Sequence, residues 1–173
     1  MNDLATEQAK AETANPLGLY VHVPFCASTC DFCAFYQTKP TAAGVESFLT
    51  GVAAEAKLVG WNRPVTTVFW GGGTPGLLAP RALSRLAETV RSHCGGAPEE
   101  WSVEMAPASV TPQRLAALRE AGVTRISMGV QDLDPHVQEV IHRDQTTEET
   151  EKLVAHCRAR GIDGVNLDLM YGL

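Results

Sequence analysis

Basic residues nowhere gather in this chain. The 14 lysines and arginines are dispersed among 20 acidic residues, and the formal net charge is −6. A nucleic-acid or anionic-membrane partner calls for a basic patch as its electrostatic footprint, so neither partner is expected. Long apolar runs are missing too. None approaches the ~20 residues that a membrane span requires, so no transmembrane segment is expected. The opening stretch, MNDLATEQAKAETANPLG, has no positive n-region and no apolar h-region, and so is not a secretory signal. It reads as a polar, Ala-rich leader over residues 1–16, loosely ordered until Pro16. Cysteine is scarce and unevenly placed. Three of the five fall within eight residues, too close together for a disulfide framework. A reduced, cytoplasmic setting fits that usage.

What is present is an alternation of short apolar strands and amphipathic helices. At 173 residues and 45% apolar, the chain is most simply one domain with a sizeable core. LGLYVHV (17–23) reads as a strand ending at Pro24. AGVESFLTGVAAEAKLVG (43–60) has helical spacing through Val45, Phe48, Leu49, Val52, Ala56 and Val59. VTTVFW (65–70) is a β-branched strand closed by three glycines, and RALSRLAETVRSH (81–93) is a helix with Pro80 just before it. WSVEM (101–105) is a strand. TPQRLAALREAG (111–122) takes Thr111 as N-cap, Pro112 as its first residue and Gly122 as its stop. TRISMGV (124–130) is a strand, TTEETEKLVAHCRARG (146–161) a helix with acidic start and basic end, and GVNLDLMYGL (164–173) a strand. Five β/α units in series predict a parallel sheet, since parallel strands need helical crossovers. The final strand has no helix after it, so Leu173 reads as a cut through a larger domain.

Chemistry-bearing residues fall just after successive strands, where active sites of parallel α/β folds collect. HVPFCASTCDFC, with Cys26, Cys30 and Cys33, follows the first strand, and GGGTP (71–75) follows the second. Glu104 ends the third. Gln131 follows the fourth, with Arg143 in the segment beyond, and Asp168 lies in the fifth. A structural zinc site wants four ligands in paired spacings, and no second cysteine pair exists. A dithiol pair at Cys30 and Cys33 leaves Cys26 without a role. The C-x3-C-x2-C spacing therefore reads as a loop for a [4Fe–4S] cluster, with one iron left open to a small molecule. GGGTP lacks the lysine of a phosphate-binding loop; its glycines read either as a tight strand-to-loop turn or, the preferred reading, as close backbone approach to a ligand, whose ammonium its carbonyls suit. A Glu and an Asp inside apolar strands suit ribose hydroxyls, and an arginine suits a ligand carboxylate. Cys94 and Cys157 read as small buried apolar groups on helices. His93, His136, His142 and His156 read as surface residues. His22 is left open, as either a core group or one that faces the site.

The ordered set LYVHVPFCASTCDFC, WGGGTP, VEMAP, RISMGVQDLD, HRDQT and NLDLMYGL resembles the radical S-adenosylmethionine (SAM) superfamily. Within it the set resembles the oxygen-independent coproporphyrinogen III oxidase family, which includes sister heme chaperones. The likeness covers residues 17–173, a radical SAM core. It implies an α/β fold, an incomplete (β/α)6 barrel with about five parallel strands and outer helices. It implies a [4Fe–4S] cluster on Cys26, Cys30 and Cys33. It places SAM against Tyr20, Phe32, Gly72, Gly73, Thr74, Glu104, Gln131, Arg143 and Asp168, in a family described with two SAM molecules. The expected activity is that of an oxidoreductase. An external donor reduces the cluster, SAM is cleaved to a 5′-deoxyadenosyl radical, and a porphyrin propionate is oxidatively decarboxylated to a vinyl group. Two features divide the family's members. The oxidase usually carries a fourth cysteine where this chain has Phe35, which leans toward the heme chaperones or related heme-modifying enzymes. Asp132 after Gln131 leans back toward the oxidase, because the chaperones more often have serine there. The family also continues past YGL with a proline, the rest of the barrel and a C-terminal domain, so an inactive truncated fragment is a third reading beside oxidase and heme chaperone.

Overall fold

The computed structural model describes residues 15–30, 32–59, 63–143 and 145–172. Most of the expected leader, together with Gly60 and Leu173 at expected element ends, lies outside those residues. Five strands form one sheet in the order β1-β2-β3-β4-β5, with every neighbouring pair parallel. They are β1 (Leu17–Val23), β2 (Val65–Gly72), β3 (Glu100–Met105), β4 (Arg125–Gln131) and β5 (Gly164–Leu169). Helices α1 (Ala42–Leu58), α2 (Pro80–Arg91), α3 (Pro112–Ala121) and α5 (Thr147–Arg158) make the crossovers, and a short α4 (Pro135–Val140) precedes α5. Sequence order equal to spatial order is the order of a barrel wall. The expected α/β part-barrel of about five parallel strands is what forms.

Local chemistry sets the element ends. The Thr41 and Thr111 side chains accept from the amides of Gly44 and Arg114, capping α1 and α3. Thr146 and Glu149 cap α5 reciprocally, each side chain accepting the other's amide. Gly122 ends α3 in the left-handed region at φ 96°, where a side chain would be strained. β2 runs two residues further than its β-branched stretch because Gly71 and Gly72 still pair with His22 and Val23. Here the ladder of the neighbouring strand overrides glycine's poor strand propensity.

Alternation along the strands separates two faces. The outer face carries Val21, Val23, Val68, Trp70, Trp101, Val103, Met105, Ile126, Met128 and Val130, all buried. Leu83, Leu86, Ala87 and Val90 of α2, Leu115 and Leu118 of α3, and Leu153 and Cys157 of α5 close over it as one core. Trp70 and Trp101 meet edge to face at its centre, ring centroids 5.3 Å apart. The inner face is polar and bears Tyr20, His22, Phe69, Ser102, Glu104, Ser127, Asn166 and Asp168. The outer face is therefore the core face, and the inner face carries most of the strands' polar side chains.

Candidate active site

Loop 24–40, which leaves β1, carries the three cysteines. Its two arms are joined at a single bridge between Phe25 and Thr38. The Cys26 amide donates to the Thr38 carbonyl at 3.0 Å, and the Thr38 amide donates to that of Pro24 at 2.7 Å. The Cys33 amide donates to the Cys30 carbonyl at 3.0 Å, turning the chain between those two thiols. All three thiols are free and partly exposed, whereas Cys94 and Cys157 are buried in the core as expected. Burial, and then the neighbouring Cys33 and Cys30, push the Cys26 thiol up, partly offset by a contact from Sγ to Thr74 Oγ1 at 3.6 Å. The three share one loop. Among the described residues, however, no three Cys, His, Asp or Glu side chains converge at metal-binding spacing.

The glycine loop leaving β2 is sewn to the cysteine loop. The Gly73 amide donates to the Val23 carbonyl at 2.8 Å and the Thr74 amide to that of Phe25 at 2.7 Å. A Cβ on Gly73 would lie 2.6 Å from the Phe25 carbonyl oxygen, and one on Gly72 would lie 2.4 Å from the His22 ring. Gly72 also sits at φ 105°, so this position requires glycine twice over. His22 thus faces the site. Its Nε2 donates to the Tyr36 carbonyl at 3.0 Å, which leaves Nδ1 as acceptor for the Tyr20 hydroxyl at 3.4 Å. Tyr20 stacks on Phe69 with centroids 6.0 Å apart, and Phe32 is part-exposed on the loop above.

Glu104 ties β2 to β3. Its Oε2 accepts the Gly72 amide at 3.1 Å. Burial lifts its carboxyl above the ordinary value of 4.5, and nearby Asp168 adds to the rise; the Gly72 amide and His22 oppose it. Tyr20 is likewise raised, by burial first and then by the Glu104 charge. Beyond β4, Gln131 adopts φ 69°, left-handed for a non-glycine residue. Arg143 returns to the same place, its Nη2 donating to the Gly129 carbonyl at 2.8 Å. Both side chains pass over Gly129, where an added Cβ would lie 2.6 Å from Gln131 Nε2 and 3.6 Å from Arg143 Nη1. The buried Gln138 of α4 fixes this turn by donating to the Val130 and Asp132 carbonyls. Asp168 accepts from Ser127 at 3.1 Å and from Asn166 at 2.7 Å.

Of the predicted residues, Tyr20, Cys26, Gly72, Gly73, Thr74, Glu104, Gln131, Arg143 and Asp168 lie at or near the rim formed by the C-terminal ends of β1 to β5, while Cys30, Phe32 and Cys33 lie further along the loop after β1. Sequence reasoning did not single out Ser127, Asn166 or Arg114. Ser127 and Asn166 had a usable signal, since they occupy inward positions of their strands. Arg114 had none. It lies in α3 and donates to the carbonyls of Leu77 at 3.0 Å, Leu78 at 3.0 Å and Ser109 at 2.8 Å, binding the turns after β2 and β3 together. A cavity of about 630 Å³ runs along the edge of β1 against α1 and shares Tyr20 and His22 with the rim. None of the three loop cysteines lines it; Cys26 lines a separate, smaller cavity with Thr38 and Lys39.

A parallel α/β part-barrel, with a three-thiol loop on its first strand and a glycine loop on its second, defines a class of barrel protein whose site lies at the strand ends. The sequence model of the radical SAM superfamily matches residues 20–173, and the chain belongs to that superfamily. It is 41% identical over 165 residues to an oxygen-independent coproporphyrinogen III oxidase of Cereibacter sphaeroides, covering 91% of this chain and 36% of that protein. It is 38% identical over 164 residues to the heme chaperone HemW of Mycobacterium tuberculosis, covering 91% of this chain and 42% of that one. The solved coproporphyrinogen III oxidase HemN of Escherichia coli, a radical SAM enzyme, superposes with a TM-score of 0.82 at 35% identity. That match covers 100% of this chain and 41% of the other. The chain thus spans well under half the length of these relatives.

Proposed function

We propose that this chain bears a [4Fe–4S] cluster on Cys26, Cys30 and Cys33 and binds SAM along the rim. In this reading it forms the core of a radical SAM oxidoreductase of the oxygen-independent coproporphyrinogen III oxidase type. The carrying observation is that three free, partly exposed thiols sit on one loop, and that the Gly73 and Thr74 amides of the next strand's glycine loop donate to the Val23 and Phe25 carbonyls at that loop's start. An all-sulfur donor set without a carboxylate or imidazole suits iron–sulfur chemistry. When bound, the cluster supplies the electron that cleaves SAM reductively. The chain's residues bind and orient. Gly72, Gly73 and Thr74 bring backbone close to the methionine end. Tyr20 and Phe32 offer aromatic faces, and Arg143 offers a fork for a carboxylate. Glu104, Gln131 and Asp168 supply acceptors for ribose and amino groups. A porphyrin substrate, an external electron donor and a cytoplasmic setting go with this reading.

Phe35 supports a second reading, a heme chaperone. It is 65% exposed on the cysteine loop, where the oxidase carries a fourth thiol. Anaerobic reconstitution and electron paramagnetic resonance test the shared part. A dithionite-reduced [4Fe–4S]+ signal that changes on adding SAM is the expected result. Zinc in place of iron, or a signal indifferent to SAM, overturns it. Conversion of coproporphyrinogen to a divinyl product then marks the oxidase. Stoichiometric heme binding with coproporphyrinogen untouched marks the chaperone.

A further inference from the structure

The inner face of the sheet holds a chain of polar side chains that ends at Asp168. The Ser102 hydroxyl donates to Glu100 Oε1 at 2.9 Å, and Glu100 Oε2 accepts from Arg125 Nη1 at 3.2 Å. Arg125 Nη2 donates to Asn166 Oδ1 at 3.4 Å. Asn166 Nδ2 then donates both to Ser127 Oγ at 3.0 Å and to Asp168 Oδ1 at 2.7 Å. The Ser127 hydroxyl donates to Asp168 Oδ2 at 3.1 Å. The line runs from the floor of the part-barrel to its rim across β3, β4 and β5. Each link fixes the next. A flipped Asn166 amide would set its oxygen against the Asp168 carboxylate and its NH2 against the Arg125 guanidinium, so the amide has one allowed orientation.

The register explains why the line ends at Asp168. Asn166 stands opposite Ser127, and Asp168 stands opposite Gly129, which has no side chain. Asp168 therefore leans back to Ser127. Ser127 is buried at 4% exposure, while Asp168 itself is exposed. Each carboxylate oxygen receives one donor from a residue nearer the floor, and the exposed carboxylate retains acceptor capacity for a further partner.

We infer that Ser127 and Asn166 are positioning residues that hold the Asp168 carboxylate in one plane, ready to accept hydrogen bonds from the two hydroxyls of a vicinal diol. Resting on the function proposed above, that diol is the ribose of SAM. Ser127 and Asn166 do not touch the ligand, and they act through Asp168.

Calorimetric binding to the anaerobically reconstituted chain tests this, using SAM and an analogue lacking both ribose hydroxyls. Ser127→Ala is expected to weaken SAM binding about five- to tenfold, the scale of one aligned hydrogen bond. It leaves iron content and affinity for the dideoxy analogue unchanged. Ser127→Thr, which keeps the hydroxyl, restores most of the loss, and Asn166→Ala reproduces it should threonine not fit the buried position. In an Asp168→Ala background Ser127→Ala has no further effect, the non-additivity expected of two residues acting as one. Equal losses for SAM and the analogue, additive losses with Asp168→Ala, or a Ser127→Ala protein that binds SAM like wild type each overturn the inference. A wild-type chain that holds its cluster but binds no SAM overturns the earlier reading instead, and removes this one with it.

Discussion

Glu104 is a carboxyl held among backbone and aromatic groups, with a second carboxylate, Asp168, close enough to raise it further. Its pKa lies above the ordinary 4.5, so the folded chain binds this proton more tightly than the unfolded chain does. The sign follows. This group contributes stability below its unfolded pKa, and the contribution is lost as pH rises through the raised folded value. Glu104→Gln keeps an oxygen for the Gly72 amide and removes the charge. The melting temperature of the variant, relative to wild type, should therefore climb between pH 4 and pH 7; a constant offset at both pH values defeats the assignment. The position of such residues on strand ends was legible from the alternation of strands and polar loops. Their neighbours were not. His22 alternates in phase with Tyr20, yet its contact with Gly72 and its bond to the Tyr36 carbonyl join residues far apart in sequence.

At the scale of elements, α3 combines a threonine cap, a first-turn proline, a left-handed glycine and one arginine that reaches beyond the helix. Thr111→Ala removes the acceptor for the Arg114 amide and should destabilise by about 1 kcal/mol in urea unfolding. Arg114→Met should cost more, about 2–4 kcal/mol, because carbonyls of two turns lose a charged donor at once. Faster amide exchange at Gly73 and Thr74 should accompany it, as the turn beginning at Pro75 is released. Equal losses for the two variants, with unchanged exchange, would show that Arg114 is only a surface residue of the helix. Every long helix and strand was legible from period and caps, to within a few residues. The short turns at Pro75–Leu77 and Pro107–Ser109, and helix α4 at Pro135–Val140, were not. Each opens on a proline at its first position, but six residues or fewer hold too little periodicity to read. β5 ends at Leu169, short of the expected 173, although the Met170 amide still donates to the Gln131 carbonyl at 2.9 Å.

For the whole molecule, the question is whether the part-barrel unfolds as one unit. One apolar cluster runs from Val21 on β1 to Ile162 before β5, with the Trp70–Trp101 pair inside it. A continuous core of this size favours all-or-none unfolding. The outer positions of β5 argue the other way, for Leu167 and Leu169 are exposed at 42% and 65%. Few buried apolar contacts at one end are what allow that end to open alone. The two buried thiols report on opposite ends of the core. Cys94 follows α2 and donates to the Val90 carbonyl at 3.2 Å, while Cys157 packs from α5 with its thiol pushed up to about 11 by burial. In the native protein without metal, an alkylating reagent at pH 8 should modify Cys26, Cys30 and Cys33 and spare Cys94 and Cys157. Under rising urea, Cys94 should become reactive together with the change in tryptophan fluorescence. If Cys157 becomes reactive at the same midpoint, the exposed edge of β5 is held by the common core. If it precedes Cys94, the α5–β5 unit opens first, and the strand that carries Asp168 is the least stable wall of the site.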